Sequence, residues 1–214
     1  EIEVPKRFQY IRVALVELQR IASHLFWLGT HAHDLGAMTP LFYALRERED
    51  IMDIFEAISG GRLTPSFMRF GGLAADADSG FVKNTKKFTD TFAAKVDDYE
   101  RLLTENPMWK SRTRNVGMMS KDFCINTGIS GPMARAAGIE WDLRKSNPYS
   151  SYGDFDFDIP TGLQGDVYDC YMVRIKEMRE SARIVSQAID GLPESDGSPV
   201  QAKANKFPPG EVYH

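Results

Sequence analysis

The side chains best able to move a proton concentrate in one stretch, Thr30-His-Ala-His-Asp-Leu-Gly36. Two histidines and an aspartate stand at what the pattern marks as a helix end, just before a glycine. The negative end of the helix dipole favours a cationic imidazole there, and a nearby carboxylate raises a histidine pKa further. His31 and Asp34 are i,i+3 neighbours if the helix continues. Histidine titrates near neutral pH, so proton handling is one reading; the other is a network that caps the helix and orders the loop. Upstream, Glu17, His24 and His31 fall seven apart with Arg20 between them. Metal ligands on adjacent turns need i,i+3 or i,i+4 spacing, whereas seven residues is two turns, about 10 Å. A polar helix face with a weak Glu17–Arg20 pair is therefore favoured over a metal or proton site.

Three other clusters carry charge or glycine. Arg46-Glu-Arg-Glu-Asp50 is a run of consecutive charges within a helical pattern. Consecutive residues wrap around a helix, so some must face inward or toward a partner protein unless i,i+4 pairs solvate the whole run. Gly60-Gly-Arg-Leu-Thr-Pro-Ser-Phe-Met-Arg-Phe-Gly-Gly72 combines glycines with arginines. Glycine admits a close backbone approach, and arginine there suits an anion or a redox centre, but the spacing is not that of a nucleotide loop. In Trp141-Asp-Leu-Arg-Lys145, Asp142 and Arg144 suit a structural pair better than a catalytic one. Cys124 and Cys170 are isolated and make neither a metal knuckle nor a disulfide framework.

Five helical segments must position these residues. The first runs from about Lys6 to Ala32, with Pro5 in its first turn and an apolar stripe through Ile11, Leu15, Leu18, Ala22, Leu25 and Leu28. The second starts at Thr39-Pro40, with Thr39 as cap, and stops at Gly60-Gly61. A third covers about Gly80 to Glu105, with Ser79 as cap. A short fourth spans Lys121 to Thr127, capped by Ser120, and the fifth runs from about Asp166 to Asp190, closed by Gly191. Gly131 to Gly165 reads as loop with one or two short strands, because Asp154-Phe-Asp-Phe-Asp alternates with period two. The expected fold is thus mainly α, a helical bundle with a small β embellishment around residues 131–165. Residues 1–192 would form the helical core and 193–214 a surface segment, its end from Pro208 to His214 approaching a turn or strand.

Composition excludes several classes. The 214 residues carry 26 Lys plus Arg against 30 Asp plus Glu, a formal charge of −4, the wrong sign for a nucleic-acid footprint. No apolar stretch approaches the length of a membrane span. The start, Glu1 to Pro5, has neither the basic nor the apolar region of a signal peptide and lacks an initiator Met, so a piece of a longer chain is expected.

At this point the residues resemble a known family. Arg12-Val13, Glu17-Leu18, Thr30-His31, Asp34-Leu-Gly-Ala-Met-Thr-Pro40, Glu47-Arg48-Glu49 and Arg69-Phe-Gly-Gly72 are similar to the D subunit of proton-translocating NADH:quinone oxidoreductase, complex I. So are Gly128-Ile-Ser-Gly-Pro132, Trp141-Asp-Leu-Arg-Lys145, Gly165-Asp-Val-Tyr-Asp169, Arg174 and Glu177-Met-Arg-Glu-Ser181. The resemblance is collinear over nearly the whole chain. It implies a fold like the large subunit of nickel–iron hydrogenases without the metal, and a quinone bound where a small subunit carrying the terminal iron–sulfur cluster docks. Other peripheral-arm subunits and the membrane subunit at the quinone channel would be partners, with NADH oxidised elsewhere in the complex and the whole seated peripherally on the cytoplasmic face of a bacterial inner membrane. No cofactor would be held by this chain alone. The family's quinone ligands, a His and a Tyr, would precede residue 1. Asp34 matches the acid that pairs with that His and would hold it charged until the quinone takes protons and electrons; it is expected to be buried beside the quinone pocket. Arg69, Thr64 and His31 would lie near the quinone or the partner's cluster.

Two rivals share features with this reading. A membrane-bound nickel–iron hydrogenase large subunit would carry CxxC pairs outside this stretch, and an interaction scaffold would have no chemistry of its own. Many members of the resembled family have His where this chain has Thr64. Threonine does not titrate, so the partner cluster's potential is expected to be lower and less dependent on pH, which suits a low-potential quinone such as menaquinone. A redox titration of the assembled complex at several pH values checks this: a nearly flat potential is expected, and a slope near ~60 mV per pH unit contradicts it.

Overall fold

Apolar residues at every third or fourth position from Phe8 to Ala32 wind a helix with one side that must be covered. The computed structural model describes residues 3–202 and 210–211, and there this helix, α1, spans Lys6–Asp34. It is followed by α2, Thr39–Ser59, and by a two-stranded hairpin, β1 Met68–Arg69 and β2 Gly72–Leu73. Next come α3, Ser79–Leu103, and four short helices: α4 Pro107–Thr113, α5 Lys121–Thr127, α6 Gly131–Ala136 and α7 Leu143–Ser146. A 3-10 turn at Tyr152–Asp154 leads to the last long helix, α8, Val167–Asp190. The long helices form the bundle: α1 lies against α2 and α8, and α3 closes on α8 and α2. Their apolar stripes meet in one core that includes Leu18, Ile21, Leu25, Ile51, Phe81, Phe92, Tyr171 and Ile184.

Local chemistry explains the helix boundaries. The Ser120 hydroxyl accepts from the Phe123 N–H at 3.1 Å, the cap expected for α5. Asp78, not Ser79, caps α3, its Oδ1 accepting from the Phe81 N–H at 2.8 Å. Thr39 lies inside α2 and caps nothing; Met38 holds the cap position without a side-chain bond. The mainly α bundle is as expected, but the β embellishment is not where period two placed it. Residues 131–165 contain α6, α7 and the 3-10 turn, and the hairpin lies at 68–73 in the glycine-rich passage. Phe155 and Phe157 are buried, Phe155 against Tyr10 of α1 and Phe157 against Arg144 of α7 and Tyr152 of the 3-10 turn, rather than by a strand ladder. Gly72 also bridges Gln201, which ties the start of the 193–214 segment to the hairpin. The turn or strand expected from Pro208 to His214 lies almost wholly outside the described residues.

The charged run on α2 is resolved one residue at a time. Arg46, Glu49 and Asp50 face outward while Glu47 is buried. Its Oε2 accepts from the Tyr99 hydroxyl at 2.6 Å and its Oε1 from Arg46 Nη2 at 2.6 Å, and Lys95 Nζ stands 3.7 Å from Oε1, so the carboxylate is satisfied from its own helix and from α3.

Before α8 the chain makes a tight loop. Asp169 Oδ2 accepts from the N–H groups of Leu163, Gln164 and Gly165 at 2.9, 2.6 and 3.2 Å. Gly165 has φ +67°, and a Cβ there would stand 2.2 Å from the Met119 carbonyl oxygen. Gly128, with φ +69°, has nothing within 4 Å of the same position. Gly165→Ala is therefore expected to cost about 2–5 kcal/mol, strain plus clash, and Gly128→Ala about 1–2 kcal/mol, strain alone. Urea unfolding of the two variants separates these, and equal costs would contradict the clash.

Candidate functional site

A helix as long as α1 cannot keep every polar residue in water, and Glu17 is fully buried on it. An isolated buried carboxylate would cost many kcal/mol, so the fold surrounds it with donors. Arg144 Nη1 lies 3.1 and 3.0 Å from its two oxygens. The Tyr152 hydroxyl donates to Oε1 at 2.6 Å and the Ser181 hydroxyl to Oε2 at 2.7 Å. Arg20 Nε adds a further donor at 3.1 Å. The expected weak surface pair is thus one edge of a buried cluster.

The cluster continues as a chain of alternating charge. Arg144 also binds Asp142 through Nε at 3.0 Å and Nη2 at 2.6 Å, the structural pair expected in that motif. Arg135 stands 4.0 Å from Asp142 and donates through Nε to Glu177 Oε1 at 2.5 Å. The other Glu177 oxygen lies 2.7 Å from His24 Nε2. Burial pushes the carboxyl groups of Glu17, Asp142 and Glu177 up, but the arginines and hydrogen bonds outweigh it and hold all three low, Asp142 at about 2. For His24, burial outweighs the pull of Glu177 and lowers its pKa. An ionised Glu177 accepts, so His24 Nε2 carries the hydrogen and donates.

At the C-terminal end of α1 the chemistry changes. His31 stacks on Trp27, ring centroids 4.6 Å apart, and meets the edge of Trp109 from α4 at 5.6 Å. Arg174 of α8 lies over the Trp27 ring at 4.1 Å. The expectation that helix end and carboxylate raise a histidine here is overturned for His31. Burial lowers its pKa, Arg174 lowers it further, and Asp34 opposes them without prevailing. Asp34 is not buried as expected: its side chain is 80% exposed, and its nearest ion-pair partner is His33 Nδ1 at 3.9 Å. No described element covers that face of the helix end.

Directly after Asp34 the chain lines a cleft of about 310 Å³, bounded by Leu35, Met38, Pro40, Leu102, Met108 and Trp109 among others. The Arg112 side chain donates to the Leu35 carbonyl and fastens one rim. The wall is mostly apolar. It includes Trp109, whose Nε1–H is buried without a hydrogen-bond partner among the described residues. Arg69 and Thr64 are exposed and lie elsewhere. Arg69 lines a second depression with Val4, Arg12 and Phe70. Arg12 and Asp34 are 22 residues apart on α1, roughly 33 Å along its axis, so the structure does not bring Arg69 to the cleft. Among the described residues no group of three or more His, Cys, Asp or Glu is arranged to hold a metal ion, and no helix is long and apolar enough to cross a membrane.

Residues 34–213 match the family model of the respiratory-chain NADH dehydrogenase 49 kDa subunit. The chain belongs to this family. It is 52% identical to the second D-type subunit of the NADH-quinone oxidoreductase of Solibacter usitatus, over 99% of this chain and 57% of that protein. It is 48% identical to the D-type subunit of the NADH-quinone oxidoreductase of Desulforamulus reducens, over 100% and 58%. With the H-type subunit of the NAD(P)H-quinone oxidoreductase of Thermosynechococcus vestitus it shares 51% identity over 94% and 52%. The chain therefore spans little more than half the length of these relatives, all of them named as quinone oxidoreductase subunits rather than hydrogenases.

For this member of the 49 kDa family, the motifs that carried the resemblance hold buried charges, among them Glu17, Glu47, Asp142, Arg144 and Glu177. Trp27, Trp109 and Arg174 have no role that the sequence assigns. Trp109 sits on α4, which Asn106-Pro107 announces as a cap and first-turn pair.

Removing one member of a buried ion cluster strands its partners. Glu17→Gln is expected to destabilise by about 3–5 kcal/mol. The pH dependence has a definite sign. A carboxyl group held low contributes stability that is present above its unfolded pKa and lost as pH falls through its folded value. For Asp142 that window runs from 3.8 to about 2. The stability gap between wild type and Asp142→Asn, read from urea midpoints, is expected to close across it; a gap constant down to pH 2 contradicts the assignment.

Proposed function

We propose that this chain is the part of a respiratory NADH:quinone oxidoreductase D subunit that forms one wall of the quinone-reduction site. The observation that carries this is the cleft at the end of α1. It is mostly apolar, Trp109 forms part of its wall, and a carboxylate stands one residue before its first lining residue. A quinone presents a flat apolar ring, which suits such a wall. When bound, the quinone would supply the acceptor for two electrons and two protons. Electrons would come from an iron–sulfur cluster on a small partner subunit, and the remaining peripheral-arm and membrane subunits would complete the enzyme on the cytoplasmic face of a bacterial inner membrane.

Within this reading Asp34 is the site acid. Its exposure leaves it available to a group from outside the described chain, and its role is to hold a cationic imidazole at the mouth of the cleft until the protons are transferred. Arg69, with Arg12 in the second depression, would lend positive charge to a separate stretch of the surface that meets the cluster-bearing partner, well away from the cleft, and Thr64 lies in the same glycine-rich passage. Residues 1–192 form the working body and 193–214 a surface segment. The likeness to the hydrogenase large subunit is part of the same proposal.

Asp34→Asn in the assembled complex tests it. Proton transfer by a positioned group contributes about 10²–10⁴-fold to a rate, so quinone reduction is expected to fall at least about tenfold. Electron transfer to an artificial acceptor that bypasses the quinone should persist. Unchanged quinone reduction would refute the role of Asp34 and, with it, the placement of the site.

A further inference from the structure

Among the described residues Arg174 is a cation without a carboxylate partner. It is half-buried, and its side chain donates to the Cys170 carbonyl at 3.1 Å, a neutral group one turn back on α8. The nearest acid on its helix, Glu177, has both oxygens occupied, Oε1 by Arg135 and Oε2 by His24. No salt bridge to Arg174 exists among the described residues. Its planar head lies instead on the Trp27 ring, and the same indole carries the His31 imidazole, the two planes only 19° apart. His31 Nε2 is buried and has no hydrogen-bond partner among the described residues. Burying such an atom without a bond is unfavourable, so its retention beside the cleft wall calls for an account.

We propose that Arg174 is a positioning residue that, through Trp27, fixes the His31 imidazole as a proton acceptor behind the cleft. The stacked sandwich holds the ring orientation, because a cation over an indole face is attracted to it. Burial disfavours a second proton on His31, and the same positive charge adds to that effect. The charges acting on His31 are Arg174 from α8 and Asp34 from its own helix. From α4 the facing group is the uncharged Trp109, and Arg112 of that helix is engaged with the Leu35 carbonyl. A neutral imidazole leaves one ring nitrogen lone pair that can accept a proton and release it again. What it serves rests on the quinone reading above; how it is held does not.

The test uses the full-length protein in its assembled complex, with histidine C2 hydrogen–deuterium exchange followed by peptide mass spectrometry across pH. In the wild type the His31 midpoint is expected below the ordinary histidine value of about 6.5. In Arg174→Gln it should move upward, and Arg174→Lys, which keeps the charge, should restore most of the difference. The acid limb of the quinone-reduction pH profile should shift the same way in Arg174→Gln. An unmoved His31 midpoint in Arg174→Gln overturns the proposal. So does a wild-type midpoint at or above the ordinary value, which decides the matter even where Arg174→Gln does not assemble. A shifted His31 with no effect of Asp34→Asn on quinone reduction would refute the cleft assignment and leave the positioning role standing; the reverse pattern would do the opposite.

Discussion

One carboxylate without solvent organises this molecule. Glu17 sits in the middle of α1, and its donors come from α1 itself, from α7, from the 3-10 turn and from α8. Every group that satisfies it must arrive at hydrogen-bond distance, so the helices that carry those groups cannot slide independently. Arg144 then needs Asp142, Arg135 needs Glu177, and His24 returns the chain to α1. The carboxylates of Glu17, Asp142 and Glu177 are matched by the guanidinium groups of Arg20, Arg144 and Arg135, so charge cancels across the network while His24 stays neutral. Such a network adds little net stability over a well-packed apolar core, but it penalises every misregistered arrangement by leaving a buried charge unpaired.

That registry bears directly on the end of α1. Trp27 and His31 lie one and two turns beyond His24, and the face they present to α8 meets Arg174, itself one turn before Glu177. The ion chain and the aromatic sandwich are therefore consecutive layers of one α1–α8 contact. The first sets the register and the second uses it to hold a neutral imidazole behind the apolar cleft. Asp34 and Leu35 then leave the helix at the cleft mouth, where the described chain ends its cover and a partner can reach the carboxylate.

Much of this scaffold was legible in the sequence. The stripes of α1, α2, α3 and α8 are long and strongly periodic, and their stops at Gly60 and Gly191 are conventional. Among the short elements α5, announced by its Ser120 cap, was legible too, and the others were not. Asp154-Phe-Asp-Phe-Asp has the period of a strand but no partner strand, so its phenylalanines are buried against helices. The helices α6 and α7 are too brief for periodicity to register. The site divides in the same way. That His31 and Asp34 share a helix end follows from spacing, and the Asp142–Arg144 pair follows from proximity. Burial of Glu17 does not, because its partners lie 127, 135 and 164 residues away. Nor does the lowered pKa of His31, because local rules see the carboxylate three residues on and miss both the burial of the ring and an arginine brought in by α8.

The central claim is that the apolar cleft at the end of α1 receives the quinone ring. The most direct measurement is photoaffinity labelling of the assembled complex with an azido-quinone, followed by peptide mapping. The account predicts label on residues 35–40 and 102–109, displaced by excess unmodified quinone. Displaceable label confined to other parts of the chain or to other subunits, with these peptides unmodified, would contradict it.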